Sequence, residues 1–345
     1  MATYKQIFGK AIKSLASDPS AEGLGQIWYN TVSNTYKTFL KPAAWSAGGN
    51  LTTARDSMST AKQGTITAGL CFGGHTGDGP PPTLDGARNL TESYNGTSWT
   101  AVNTLTAAIQ LAGGAGTQGA ALSFGGATWP SNVKTTATES WDGTNWTAVN
   151  AMNTARHLVN ASAGTQGAAL AFGGPAYPSP GYLTATEEYD GTNWATSPGS
   201  MNTPRGDIAG TGLQTAALAF GGTGSPPGTF VTTITESYDG STWTSQGAMN
   251  TARRRSAGGG PSAAGVGFGG LVPGPAATTS TETFDGSSWT AASAMGTGRY
   301  YLGGAGATAT DSMAIGGLTS GSATSYTNAT EEYAQAEAVK TITTS

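Results

Sequence analysis

Apolar and polar positions alternate in six short runs, each ending at a glycine pair. One face of each run carries Leu70/Phe72, Leu122/Phe124, Leu170/Phe172, Leu218/Phe220, Val266/Phe268 or Met313/Ile315. The pairs that follow are Gly73-Gly74, Gly125-Gly126, Gly173-Gly174, Gly221-Gly222, Gly269-Gly270 and Gly316-Gly317. Period-two alternation bounded by glycine predicts a strand. A second strand is predicted where Thr-Glu-x-aromatic recurs, with Glu92, Glu139, Glu187, Glu236, Glu282 and Glu331. An Asn-Gly or Asp-Gly turn then folds it back onto a strand carrying Trp99, Trp146, Trp194, Trp243 or Trp289. Glycine supplies the positive φ that such a tight hairpin requires. A further strand is predicted after each Met-x-x-x-Arg step, which places four strands in each unit.

The glycine pairs are 52, 48, 48, 48 and 47 residues apart. A fixed period of this size means a stacked or circular array, and four strands per period predict a propeller blade. Met-x-x-x-Arg, Gly-Gly, Tyr-Asp and Trp follow one another in the middle units, and this pattern resembles kelch repeats. Ile109 replaces the arginine in one unit, and Ala334 replaces the turn aspartate in the last. The resemblance implies an all-β, six-bladed kelch-like β-propeller over residues 43–333. It does not imply an activity, since the fold hosts unrelated ones.

Trp45 precedes the first glycine pair, and no tryptophan follows the last. Residues 43–48 are therefore expected to be the closing strand, an N-terminal outer strand that completes the sixth blade and removes an exposed edge. Residues 334–345 are left as a C-terminal tail. The chain ends are expected on one face of the ring, opposite the longer loops.

Residues 1–42 fall outside the repeat. Ile7, Phe8, Ile12 and Leu15 suit a short strand or a helix. Two β-rich runs, with Ile27, Trp28 and Tyr29 in one and Tyr36 and Phe39 in the other, flank a polar turn and predict a hairpin. It is too small to bury those side chains alone, so it is expected to dock on the propeller, a sister chain or a host assembly. Gly-Gln-Ile-Trp-Tyr-Asn-Thr, then Asn-Thr-Tyr-Lys, is similar to a segment near the start of tailed-phage structural and fibre proteins. That resemblance implies a virion protein on a tail or capsid appendage. It also implies an arm that binds other virion proteins, and a homo-oligomer such as a trimer.

Charged residues make up only 10% of the 345 residues, against roughly 25% in an average domain. The repeated apolar anchors make this a turn-rich sheet protein rather than a disordered chain. A net charge of −4 argues against nonspecific nucleic-acid binding. No apolar run long enough for a membrane span appears, nor does an export signal. The single cysteine, Cys71, is expected in the core.

Function concentrates on loops held by a rigid scaffold. The Pro- and Gly-rich loops after the glycine pairs carry Trp129, Tyr177, Tyr182, Phe230 and Tyr326, which either cover the blade tops or contact a host-surface glycan. Arg55, Arg156, Arg205, Arg253 and Arg299 either bind an anionic sugar or phosphate bidentately or pair with the equally regular glutamates. Arg253-Arg254-Arg255 reads as a solvated loop edge. Two histidines, His75 and His157, and one cysteine offer no metal spacing, and no phosphate loop, dinucleotide fingerprint or nucleophile elbow occurs. Asp78 with Asp85, or Asp207 with a neighbouring loop, are the carboxylates left for a glycosidase pair. The expectation is a non-enzymatic adhesin without cofactor or metal. A capsid or tail decoration protein and an intracellular protein-docking propeller are the alternatives.

Overall fold

The computed structural model describes residues 13–17, 27–40, 43–77, 86–128, 133–158, 160–175, 181–224, 230–274, 276–319, 325–335 and 338–341. They are all β and turn, without a helix. The chain divides into two units, Trp45–Ala334 and a smaller one made of Met1–Ala44 with Gln335–Ser345.

The larger unit carries six four-stranded antiparallel sheets among the described residues, an arrangement consistent with a β-propeller. The fourth repeat shows the plan: Ala209–Leu213, Ala216–Phe220, Thr235–Tyr238 and Trp243–Gln246, paired in chain order. The second strand is central and fully buried at its C-terminal end, which is why it needs an apolar residue at every other place. The glycine pair ends it because both residues lie at positive φ, 65° at Gly221 and 99° at Gly222. A Cβ at Gly222 would also sit 2.6 Å from the Gly206 carbonyl oxygen.

Neighbouring sheets are joined by one contact used six times. The indole N–H of each repeat tryptophan donates to the hydroxyl of the Thr-Glu threonine in the preceding sheet. Trp146 reaches Thr91, Trp194 reaches Thr138, Trp243 reaches Thr186 and Trp289 reaches Thr235, at 2.9–3.1 Å. Trp99 of the first sheet reaches Thr330 of the sixth at 2.9 Å. Five of the six tryptophans also pack against the preceding sheet's phenylalanine, as Trp243 does on Phe172 with ring centroids 5.0 Å apart, and the sixth sheet offers Trp99 Ile315 at that place instead.

Trp45 completes the set. Its strand, Ala43–Ala47, lies beside Thr330–Gln335 in the sixth sheet. Its indole donates to Thr281 at 2.9 Å and packs edge-on against Phe268 at 4.9 Å. The first strands are also neighbours in sequence order, and Gly303–Thr308 of the sixth sheet lies against Ser59–Thr60 of the first. If the outer strand from the N-terminal side bonds as firmly as the other five, Thr281→Val should cost the same as Thr186→Val, about 1 kcal/mol each. Denaturant unfolding of the two variants checks this, and a silent Thr281→Val would mean a loose sixth sheet.

The smaller unit is a four-stranded sheet in the order Lys13–Leu15, Ile27–Asn30, Thr35–Leu40, Ala338–Thr341. The expected hairpin is there, turning at Asn30, whose side-chain oxygen accepts from the Val32 and Ser33 amides. Leu15 belongs to a strand, not a helix; Ile7, Phe8 and Ile12 lie outside the described residues. Trp28 is buried, Ile27 and Tyr29 are half-buried, and Tyr36 packs on Tyr29 while remaining partly exposed. Phe39 takes a backbone place opposite Val339, and its side chain lies outside the described set. The segment set aside as a tail is thus a strand of this sheet. Thr35–Leu40 offers an edge that the hairpin alone leaves unpaired, and Ala338–Thr341 fills it.

Candidate functional site

The arginines do not form a ligand ring. Arg55, Arg156, Arg205, Arg253 and Arg299 are fully buried. Each is engaged by the glutamate of its own repeat: Arg55 by Glu92 at 3.1 Å, Arg205 by Glu236 at 2.8 Å, Arg253 by Glu282 at 2.5 Å, Arg299 by Glu331 at 2.9 Å, and Arg156 by Glu187. Arg205 also donates to the Gly221 and Ile234 carbonyls at 2.7 and 2.9 Å. The guanidinium therefore ties the turn before the first strand to the end of the second and the start of the third. Arg55 additionally donates to the buried Cys71 sulfur at 3.1 Å, and burial pushes that thiol up to about 11.

The basic run is likewise no solvated edge. Arg253 belongs to this buried set, whereas Arg255 donates to Asp207 at 2.9 Å and lies 4.3 Å over the Tyr301 ring. Arg254 approaches the same carboxylate at 3.8 Å. A repeat-distant aspartate collects both charges, which no local pattern announces.

Two residues beyond the arginine position the backbone turns left-handed. Ser57, Leu111, Asp207, Arg255 and Tyr301 have φ of 52–57°. Non-glycine residues hold such angles at a cost of order 1–2 kcal/mol, so the surroundings must enforce them. They do so through one another: Leu111 N–H donates to Ser57 O, Ser57 N–H to Tyr301 O, Tyr301 N–H to Arg255 O and Arg255 N–H to Asp207 O, at 2.9–3.0 Å. In the third repeat Leu158 N–H joins Leu111 O, and the positive φ moves to Asn160.

A cleft of about 220 Å³ opens on this series where the first, second and sixth repeats meet. Asp56 and Ser57 come from the first repeat, Gln110 and Leu111 from the second, and Tyr301 from the sixth. His75, Leu318 and Tyr326, each placed just after a glycine pair or in the loop beyond it, complete the walls. Asp56 and His75 exchange backbone hydrogen bonds of 3.0 and 2.8 Å. The Tyr326 hydroxyl is 2.9 Å from His75 Nδ1, and Asp56 Oδ1 is 3.5 Å from the same nitrogen. The Tyr326 ring lies across Gly77, where a Cβ would come within 2.5 Å of it. Burial raises the Asp56 carboxyl above its ordinary value, with His75 pulling the other way. Asp56 Oδ1 is buried and makes no hydrogen bond of ordinary length and angle, with the His75 and Ser57 side chains facing the carboxyl.

Of the loop aromatics, Tyr326 enters this cleft. Tyr182 lies half-buried over Gly206, where a Cβ would fall 2.2 Å from its ring. Phe230 is 63% exposed, and Trp129 and Tyr177 lie outside the described residues, as do Asp78 and Asp85. Asp56 and His75 were not foreseen as partners of Tyr326; they stand in the first repeat and Tyr326 in the last. Among the described residues, no group of three or more His, Cys, Asp or Glu could hold a metal ion, and no helix is long and apolar enough to cross a membrane.

No protein-family model matches this chain, and no curated protein gives a significant match.

Proposed function

We propose that this chain is a virion structural protein of a tailed phage, an adhesin on a tail fibre or appendage. Its larger unit is a six-bladed kelch-like propeller, shut into a ring by the Trp45 strand. The smaller sheet is the attachment arm, through which the protein meets other virion proteins and its own copies. The face bearing the variable loops meets host-surface glycan. The repeated Trp–Thr bonds and the contact between first and sixth first strands support the closed ring. The resemblance of the segment around Trp28 to phage structural proteins supports the virion setting.

The observation that carries the adhesin reading is the cleft at Asp56, His75 and Tyr326. It departs from the repeat, whereas the arginines and glutamates that obey the repeat are consumed in scaffolding. A small, partly apolar cleft with a few convergent polar groups is the usual form of a ligand site. Weak contact per copy suffices on a particle, because multivalency multiplies it. Cryo-electron microscopy of the particle tests the setting. Density for the chain at a tail appendage is expected, together with adsorption of the purified protein to host cells and blocking of infection. Density on the capsid shell without adsorption would replace the adhesin with a decoration protein.

A further inference from the structure

We infer that the cleft between the first, second and sixth repeats binds one neutral pyranose unit, whose hydroxyls donate to Asp56 while Tyr326 forms its apolar wall. This names the ligand class of the site above and rests on the adhesin reading for its biological setting. Size comes first. At about 220 Å³ the cleft is smaller than the roughly 300–1,000 Å³ of sites for drug-sized ligands. It suits a single sugar ring or chain end, not an extended oligosaccharide.

Donor and acceptor accounting gives the chemistry. The Tyr326 hydroxyl engages His75 Nδ1 at 2.9 Å. Asp56 Oδ1 stands off at 3.5 Å from that nitrogen, too far for a hydrogen bond of ordinary length. A buried acceptor without a donor is costly, about 1–3 kcal/mol, and a ligand hydroxyl satisfies it. Carboxylates accept from two donors at once, which suits the adjacent hydroxyls of a pyranose. Gln110, Ser57 and Tyr301 offer further polar groups, and Leu111 and Leu318 with the Tyr326 ring offer the apolar surface that sugar C–H faces need.

Charge decides between sugar classes. Among the described residues no lysine or arginine lines the cleft, and Arg254 and Arg255 are held by Asp207. An acidic sugar would set its carboxylate near Asp56 with no cation to offset it. The site is also built in advance. Ser57, Leu111 and Tyr301 are locked in the left-handed region by mutual backbone bonds, so little ordering is left for binding to accomplish. Asp207 and Arg255 share that backbone state elsewhere in the series. What singles out this place is the Asp56, His75 and Tyr326 set.

The test uses the full chain and ligand-observed NMR or calorimetry. Methyl α-glucopyranoside, methyl β-galactopyranoside, methyl α-mannopyranoside and N-acetylglucosamine are compared with glucuronate. At least one neutral sugar is expected to bind at millimolar concentration, with glucuronate weaker. Asp56→Asn should weaken binding about tenfold or more, the 1.4 kcal/mol or more of a hydrogen bond to a charged group. Gln110→Trp should fill the cleft and abolish binding, and it decides the matter if Asp56→Asn does not fold. Failure of all four neutral sugars, tighter binding of glucuronate, or unchanged affinity in folded variants overturns the inference. Host-cell adsorption is scored separately. Adsorption that ignores both variants sinks the cleft and leaves the adhesin; a wild type that binds sugar but not cells sinks the adhesin and leaves the cleft.

Discussion

Arg205→Ala is expected to destabilise the protein by about 3–5 kcal/mol, the usual cost of removing one partner from a buried ion pair. Arg205 and Glu236 are both fully buried. The truncation leaves the Glu236 carboxylate without its cation and the Gly221 and Ile234 carbonyls without their shared donor. Among the described residues, Glu236 then retains the Asn202 amide at 2.6 Å. Burial pulls the Arg205 guanidinium below its ordinary value and Glu236 pushes it back, so neither group is comfortable alone. Replacing both, as in Arg205→Met with Glu236→Gln, removes the stranded charge, and the pair should cost clearly less than the sum of the single changes. Denaturant melts of the four proteins give the cycle. Sugar binding should be untouched throughout. Loss of binding to an acidic glycan with an unchanged melt would restore the arginines as ligand groups.

The same residues show what a sequence can and cannot disclose. The arginine and the glutamate recur with equal fidelity, and equal fidelity is what a pair within one repeat leaves behind. The strands, the turns and the place of Trp45 were legible for the same reason, since each is a local pattern copied along the chain. The threonine before each glutamate was just as regular, yet its role was missed. It serves the tryptophan of the next repeat, and periodicity cannot tell a contact within a unit from one between units. The Asp56, His75 and Tyr326 set was illegible for the opposite reason. It breaks the repeat, and it joins residues 56 and 326, which become neighbours only because the first and last sheets meet. The left-handed turn residues were hidden too, because serine, leucine, aspartate, arginine and tyrosine share no chemistry. What holds them is the backbone of the adjacent repeat. The C-terminal segment read as a tail because strand Ala338–Thr341 has no copy elsewhere to mark it.

Lys62 is where a charge has been buried without such a partner. Its side chain is buried, and its ammonium donates to Asn160 Oδ1 at 2.9 Å. Among the described residues no carboxylate pairs with it. Asn160 in turn spans to the Ser256 and Leu302 carbonyls at 3.1 and 3.0 Å, so the lysine is tied to three repeats through one amide. Burial lowers its pKa from 10.5 to about 7. The direction of the pH effect follows. Between pH 7 and 10.5 the unfolded chain binds one proton that the folded chain has given up, so stability rises with pH across that window and is lowest at and below pH 7. At about 1.4 kcal/mol per pH unit, stability should climb by roughly 2 kcal/mol from pH 7 to pH 9. Lys62→Met keeps the unbranched length and removes the charge. It should raise stability at pH 7 by about 2–4 kcal/mol, the lowered pKa being worth roughly 5 and the stranded Asn160 oxygen offsetting about 1–3. It should also abolish the climb. Guanidinium unfolding at pH 7 and pH 9 reads both effects. A wild type equally stable at the two values, or a methionine variant weaker than wild type at pH 7, would mean that the amine is solvated or paired in the folded protein.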